Sequence, residues 1–138
     1  MFVLDTNVLS EAMKPSPDPV VARWIGRASG KGLFTTAVSE AEINYGIAIL
    51  PNGRRKSDLE AAAHGIFALF AGRILPFDSN AAREFAFMVA DRRRLGQPIE
   101  AFDAQIAAIA RANGMSLATR DVHDFADTGV QIVNPWVT

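Results

Sequence analysis

Short apolar runs that stop abruptly at Asp, Thr, Gly or Pro alternate here with longer stretches of helical period. That alternation most narrows what the chain can fold into. Phe2 to Leu4 is the first such run, stopped by Asp5-Thr6-Asn7, and reads as a buried strand with polar side chains at its carboxyl end. The pattern then predicts helices over about Thr6 to Met13 and Val20 to Arg27, with Pro15, Pro17 and Pro19 between them and Gly30 and Gly32 after. A second strand is predicted over Leu33 to Thr36, followed by helices from about Val38 to Leu50 and from Ser57 to Phe70, separated by Pro51-Asn52-Gly53. Ile74-Leu75 begins a third strand. Asn80 to Leu95 and Ala101 to Ala112 are predicted helices, and Ser116 to Ala118 and Gln131 to Val133 are short candidate strands. Strands separated by helices imply an α/β fold: a mainly parallel sheet of about four to five strands, flanked by helices on both sides. The 138 residues suit a single domain, and no repeat or linker divides them.

Composition removes several classes of function. With no cysteine there is no disulfide, thiolate metal site or cysteine nucleophile. His64 and His123 are the only histidines and lack zinc-ligand spacing, so both are expected to be solvated. A net charge of −1 announces no global attraction for nucleic acid. No leader-like opening and no membrane-length apolar run are present, so a cytoplasmic protein without a membrane span is expected. The phosphate-loop, dinucleotide and serine-elbow signatures are all missing.

What remains is a set of acids. Asp5 directly follows a strand, where ligands of open α/β sheets bind, although it would equally serve as a helix N-cap. Val38, Ala41, Tyr45 and Ala48 are expected to mark the apolar face of their helix, which puts Glu42 near that face and Glu40 away from it. A carboxylate there needs a partner or a cation. Asp103 falls in the first turn of a helix whose inward positions are expected to be Ile106, Ala107 and Ala110. A favourable helix-dipole interaction is its simpler role. Asp121 follows the strand Ser116 to Ala118, with Asp124 three residues on, and either also suits a turn or cap. Acids brought together raise one another's pKa, and hard oxygen-seeking cations such as Mg2+ or Mn2+ are the natural remedy. Such sites commonly act on phosphate esters.

Four segments then resemble PIN-domain nucleases, above all the VapC and FitB-like toxins of bacterial toxin–antitoxin pairs. They are Phe2-Val3-Leu4-Asp5-Thr6-Asn7-Val8-Leu9-Ser10-Glu11, the stretch from Thr35 to Gly46 that contains Glu42, Phe102 to Ala110 with Asp103, and Leu117 to Phe125 with Asp121. The ending Val133-Asn134-Pro135-Trp136 is similar to the FitB-like group. The resemblance spans the chain. It implies an endoribonuclease that uses Mg2+, with Mn2+ as substitute, a homodimer, a cognate antitoxin that blocks the pocket, and tRNA or other structured RNA as substrate. By carry-over Asp5, Glu42, Asp103 and Asp121 form the acidic quartet, with Asp5, Asp103 and Asp121 at the metal. Many relatives have Asn where Asp121 stands and the acid where Asp124 stands; here both are Asp, and both remain candidates. Thr6 and Thr119 are candidates to orient the carboxylates. Arg120, beside the pocket, is the leading candidate for RNA contact, ahead of Arg54-Arg55-Lys56 and Arg92-Arg93-Arg94, which also suit solvated helix surfaces. Trp24 and Phe67 suit either the core or a groove for a partner helix. The alternative to a nuclease is a PIN-like module that binds RNA or protein without cutting. A phosphatase or phospho-receiver fits less well, since position 7 is Asn7 and the only lysines are Lys14, Lys31 and Lys56.

Overall fold

A computed structural model describes residues 1–137. Five strands, β1 (Phe2–Leu4), β2 (Leu33–Thr36), β3 (Ile74–Leu75), β4 (Ser116–Ala118) and β5 (Ile132–Val133), form one sheet in the order β3-β2-β1-β4-β5. Every neighbouring pair is parallel. Six α-helices cover it: α1 (Thr6–Ala12), α2 (Pro19–Ala28), α3 (Ala37–Ala48), α4 (Arg54–Leu69), α5 (Ser79–Arg94) and α6 (Ala101–Ala112).

Successive strand residues point to opposite faces, and this splits the core in two. Val3 and Leu117 pack with Met88 of α5 and with Ile106 and Ile109 of α6. Leu4 and Ala118 pack on the other face with Val8, Leu9, Trp24, Ile43 and Ile47, from α1, α2 and α3. Apolar packing on both faces suits the near-continuous apolar runs of the central strands, with Thr35, Thr36 and Ser39 buried as well. Trp24 is therefore a core residue, whereas Phe67 is only partly buried.

Helix ends follow local chemistry. Thr36 caps α3 by accepting the Ser39 amide, and Asp78 caps α5 by accepting the Ala81 amide. Gly114, at φ 64°, closes α6 and lets the Met115 amide reach the Ala110 carbonyl at 3.0 Å, the bond of a Schellman turn.

Three expectations need correction. Helix α4 starts at Arg54 rather than Ser57: Gly53 precedes it, and the Ser57 amide is already bonded to the Gly53 carbonyl. The basic triplet Arg54-Arg55-Lys56 thus lies in the first turn. On α3 the buried positions are Val38, Ser39, Ile43 and Ile47, while Ala41, Tyr45 and Ala48 are exposed. The helix carries small or apolar residues on nearly every side, so its period does not choose a face. Third, the triplet Arg92-Arg93-Arg94 splits. Arg93 and Arg94 are exposed, but Arg92 is buried and donates to the carbonyls of Gln97 (2.6 Å), Asp124 (2.9 Å) and Ala126 (2.7 Å). It pins the short 3-10 turn Val122–Phe125, which the sequence pattern does not reveal, to the end of α5. No helix among the described residues is long and apolar enough to cross a membrane.

Candidate active site

From β1 the chain order runs outward through β2 to β3 on one side and through β4 to β5 on the other. The carboxyl ends of β1 and β4 therefore flank a topological switch point, the place where ligands enter open α/β sheets. Asp5 follows β1 and its amide bonds the Ala118 carbonyl at 2.9 Å, while Thr119, Arg120 and Asp121 follow β4. A cleft of about 400 Å³ opens here, lined by Asp5, Thr6, Asn7, Ser10, Glu11, Lys14, Glu42, Asp103, Arg120, Asp121 and Trp136. The proposed quartet thus shares one cleft. Asp124 lies outside it, in an adjoining hollow of about 190 Å³ that it shares with Arg92, Glu100 and Asp103.

Three of the four acids, Asp5, Glu42 and Asp121, are held by neutral donors, and Asp103 faces them across the cleft. Asp5 is 4% exposed; its Oδ1 accepts the Thr6 amide at 2.7 Å as the cap of α1, and its Oδ2 accepts the Thr119 hydroxyl at 2.7 Å. The capping and pocket roles weighed from the sequence coexist in one side chain. Thr119 is wholly buried, and its Oγ1 also accepts the Asp121 amide at 3.0 Å. Asn7 donates to Asp121 Oδ2 at 3.1 Å and accepts the Arg120 amide at 3.4 Å, tying α1 to the segment after β4. Thr6 donates to Glu42 Oε1 at 2.8 Å across the gap between α1 and α3. Glu42 adjoins the buried Ile43, so it stands at the rim of the core although the face expected for α3 is displaced.

No lysine, arginine or histidine among the described residues comes within 4.0 Å of these four carboxylates. The electrostatic consequence is a pair of reluctant acids. Burial pushes Asp5 up to about 6, opposed by its bonds from Thr119 and Thr6 and reinforced by the charges of Glu42 and Asp121. Burial pushes Asp103 up to about 7, with further upward pressure from Asp5, Glu100, Asp124 and Glu42. His64 and His123 are exposed, as expected.

The donor set suits a hard divalent cation: several carboxylate oxygens, with no ammonium or guanidinium paired to them among the described residues, and no sulfur or imidazole lining the cleft. Among the described residues no three acids already form a ready-made chelate. Holding an ion would therefore draw the carboxylates closer than they stand.

Glu11, Lys14 and Trp136 line the same cleft and were not singled out from the sequence as site residues. Glu11 is only 6% exposed, and the usable signal was its place three residues after Val8 on the apolar side of α1.

A parallel sheet with an acid-lined switch point is the arrangement of a metal-dependent α/β domain. The PIN domain family model matches residues 2–130, so the chain belongs to that family. Among its relatives, VapC ribonuclease Y4jK of Sinorhizobium fredii is 40% identical over 137 residues, covering 99% of this chain and 98% of that protein. Toxin FitB of Neisseria gonorrhoeae is 39% identical over 137 residues, covering 99% of each chain. The crystal structure of FitAcB from Neisseria gonorrhoeae superposes with a TM-score of 0.91 at 37% identity and full coverage of both chains.

Proposed function

We propose that the protein is a divalent-metal-dependent endoribonuclease that hydrolyses RNA phosphodiester bonds and serves as the toxin of a toxin–antitoxin pair. The observation that carries this reading is the convergence of Asp5, Glu42, Asp103 and Asp121 on one cleft with no cationic side chain paired to them. The names of the relatives, a VapC ribonuclease and a FitB toxin, point the same way.

Asp5, Asp103 and Asp121 would hold the ion, Mg2+ by preference and Mn2+ as substitute, with Glu42 completing the acidic wall. A bound dication supplies electrostatic stabilisation of the phosphate and of the leaving oxygen, and eases deprotonation of the attacking water. The chain's own residues do the positioning. Thr119 fixes one oxygen of Asp5, Thr6 fixes one of Glu42, and Asn7 fixes one of Asp121, so these three acids keep a defined orientation. Asp121 is the fourth acid in this reading, since it lines the cleft with the other three, whereas Asp124 faces the adjoining hollow, where it bears on Asp103. Arg120 supplies positive charge for the RNA backbone beside the acidic wall of the cleft. A cognate antitoxin would silence the site by covering it, and the cytoplasm, where RNA is made and used, is the place of action.

The test is RNA cleavage by purified protein with Mg2+ or Mn2+, beside Asp5→Asn and Asp103→Asn. Both substitutions should reduce cleavage by at least about a hundredfold, the scale of losing one preorganised electrostatic group, while the variants stay folded by circular dichroism. Variants that cut as fast as the wild type would overturn the site. Firm RNA binding by the wild type, with no product on long incubation, would instead identify a non-catalytic module.

A further inference from the structure

The acidic wall poses a problem for any polyanionic substrate. Among the described residues two cations line the cleft, Lys14 and Arg120, and both pair with Glu11 and not with the quartet. Both turn instead to one oxygen of Glu11: Lys14 Nζ lies 2.9 Å from Oε1 and Arg120 Nη2 lies 3.8 Å from the same atom. Glu11 is itself fixed, since its other oxygen accepts the Asp18 amide at 3.0 Å. These bonds, that from Lys14 first, hold its carboxyl below the usual range. The guanidinium of Arg120 lies 4.0 Å above the ring of Trp136. Yet the side chains of Lys14 and Arg120 remain 59% and 55% exposed.

A buried acid that gathers two half-exposed cations, one of them laid on an aromatic ring, leaves a site with one net positive charge and several unused donors. That matches a phosphodiester, which carries one negative charge. We propose that Glu11, Lys14, Arg120 and Trp136 form a subsite for a backbone phosphate of the RNA strand beside the bond to be cut. Lys14 and Arg120 contact the phosphate, and Glu11 and Trp136 are positioning residues. The proposal rests on the nuclease reading for the identity of the strand but not for the site. Glu11 here has a role opposite to that of the quartet: its negative charge assists anion binding by organising the cations.

The test is fluorescence anisotropy with a short labelled RNA oligonucleotide, in EDTA, on an Asp103→Asn background. Arg120→Gln and Lys14→Gln should each weaken binding about fivefold to tenfold. Each should also reduce the slope of log affinity against log salt by about 0.7, the value for one phosphate contact on a single strand. Arg120→Lys keeps the charge but loses the planar fork and the ring stack, and should recover only part of the affinity. Glu11→Gln is the sharpest variant, because it makes the cleft more positive. Simple long-range attraction predicts tighter RNA binding, whereas a positioning role predicts weaker binding. Lys14→Gln, at an exposed side chain, guards against a folding artefact.

Unchanged affinity and salt slope in both Lys14→Gln and Arg120→Gln would overturn the subsite, as would tighter binding by a folded Glu11→Gln variant. If the wild type cleaves RNA but these variants bind normally, the subsite fails alone. If they bind weakly but the wild type never cleaves, the nuclease reading fails and the subsite stands.

Discussion

Two ends of the molecule bury charge in opposite ways. At the end of α5, Arg92 is 6% exposed and its guanidinium is satisfied by three carbonyl oxygens, from Gln97, Asp124 and Ala126. At the carboxyl ends of β1 and β4, Asp5 is equally hidden and also meets neutral partners, but there like charges crowd together: Glu42 and Asp121 bear on Asp5, and Asp5, Glu100, Asp124 and Glu42 bear on Asp103. The first arrangement is complete within the chain. The second is complete only with something from outside. A buried charge is costly unless paired, so the comparison separates a structural charge from a functional one by what surrounds it.

Substitutions should break that comparison in opposite directions. Arg92→Met keeps the aliphatic stem but strands three carbonyls, and should destabilise the fold by about 3 kcal/mol or more in urea unfolding. Asp103→Asn should do the reverse. The folded protein holds a proton on Asp103 up to about pH 7, whereas an unfolded chain releases it near the ordinary aspartate value of 3.8. Metal-free stability contributed by this group is therefore full below about pH 4 and is lost as pH rises through about 7. Asp103→Asn should remove that loss, stabilising the metal-free protein at pH 8 by on the order of 1–2 kcal/mol once solvent screening is allowed for. Urea titrations at pH 5 and pH 8 in EDTA read both the sign and the slope; a variant less stable than wild type at pH 8 would count against reluctant ionisation.

A smaller effect sharpens the picture at Asp5. The Thr119 hydroxyl lowers the pKa of Asp5, so Thr119→Val should raise it further and shift the rising limb of any pH–rate profile upward. Its stability cost should be about 1 kcal/mol, the worth of one hydrogen bond. The smallest contrast is between the two late acids. Asp121→Asn should impair cleavage more than Asp124→Asn, because only Asp121 lines the cleft.

The sheet was legible because its central strands are mostly buried and its edge strands Ile74–Leu75 and Ile132–Val133, though only partly buried, are apolar and β-branched or aliphatic. Leu33–Thr36, Ile74–Leu75 and Ser116–Ala118 stand as apolar or β-forming runs with polar or turn residues at their ends, and the sequence pattern finds all three. Asp5 was legible for the same reason: a carboxylate that interrupts an apolar run must sit at a strand end. Arg92 was not. Within three consecutive arginines it looks solvated, and two of its carbonyl partners lie 32 and 34 residues away. Glu11 was hidden similarly, since an acid three residues from a lysine normally marks a helix surface, and its burial depends on Arg120 and the Asp18 amide. Helix α3 misleads because Tyr45 is 67% exposed while Ile43 and Ile47 point inward, a choice made by packing on α1 and α4 rather than by period. Local pattern thus fixes elements and their ends, while long-range partners decide which charges are buried.

The central claim is that the quartet is incomplete without a hard dication. Anomalous diffraction from crystals grown with Mn2+ tests it most directly. The account predicts an anomalous peak in the cleft within bonding distance of oxygens from Asp5, Asp103 and Asp121, with those side chains drawn closer than they stand here. Well-ordered carboxylates with no peak between them at saturating Mn2+ would contradict it.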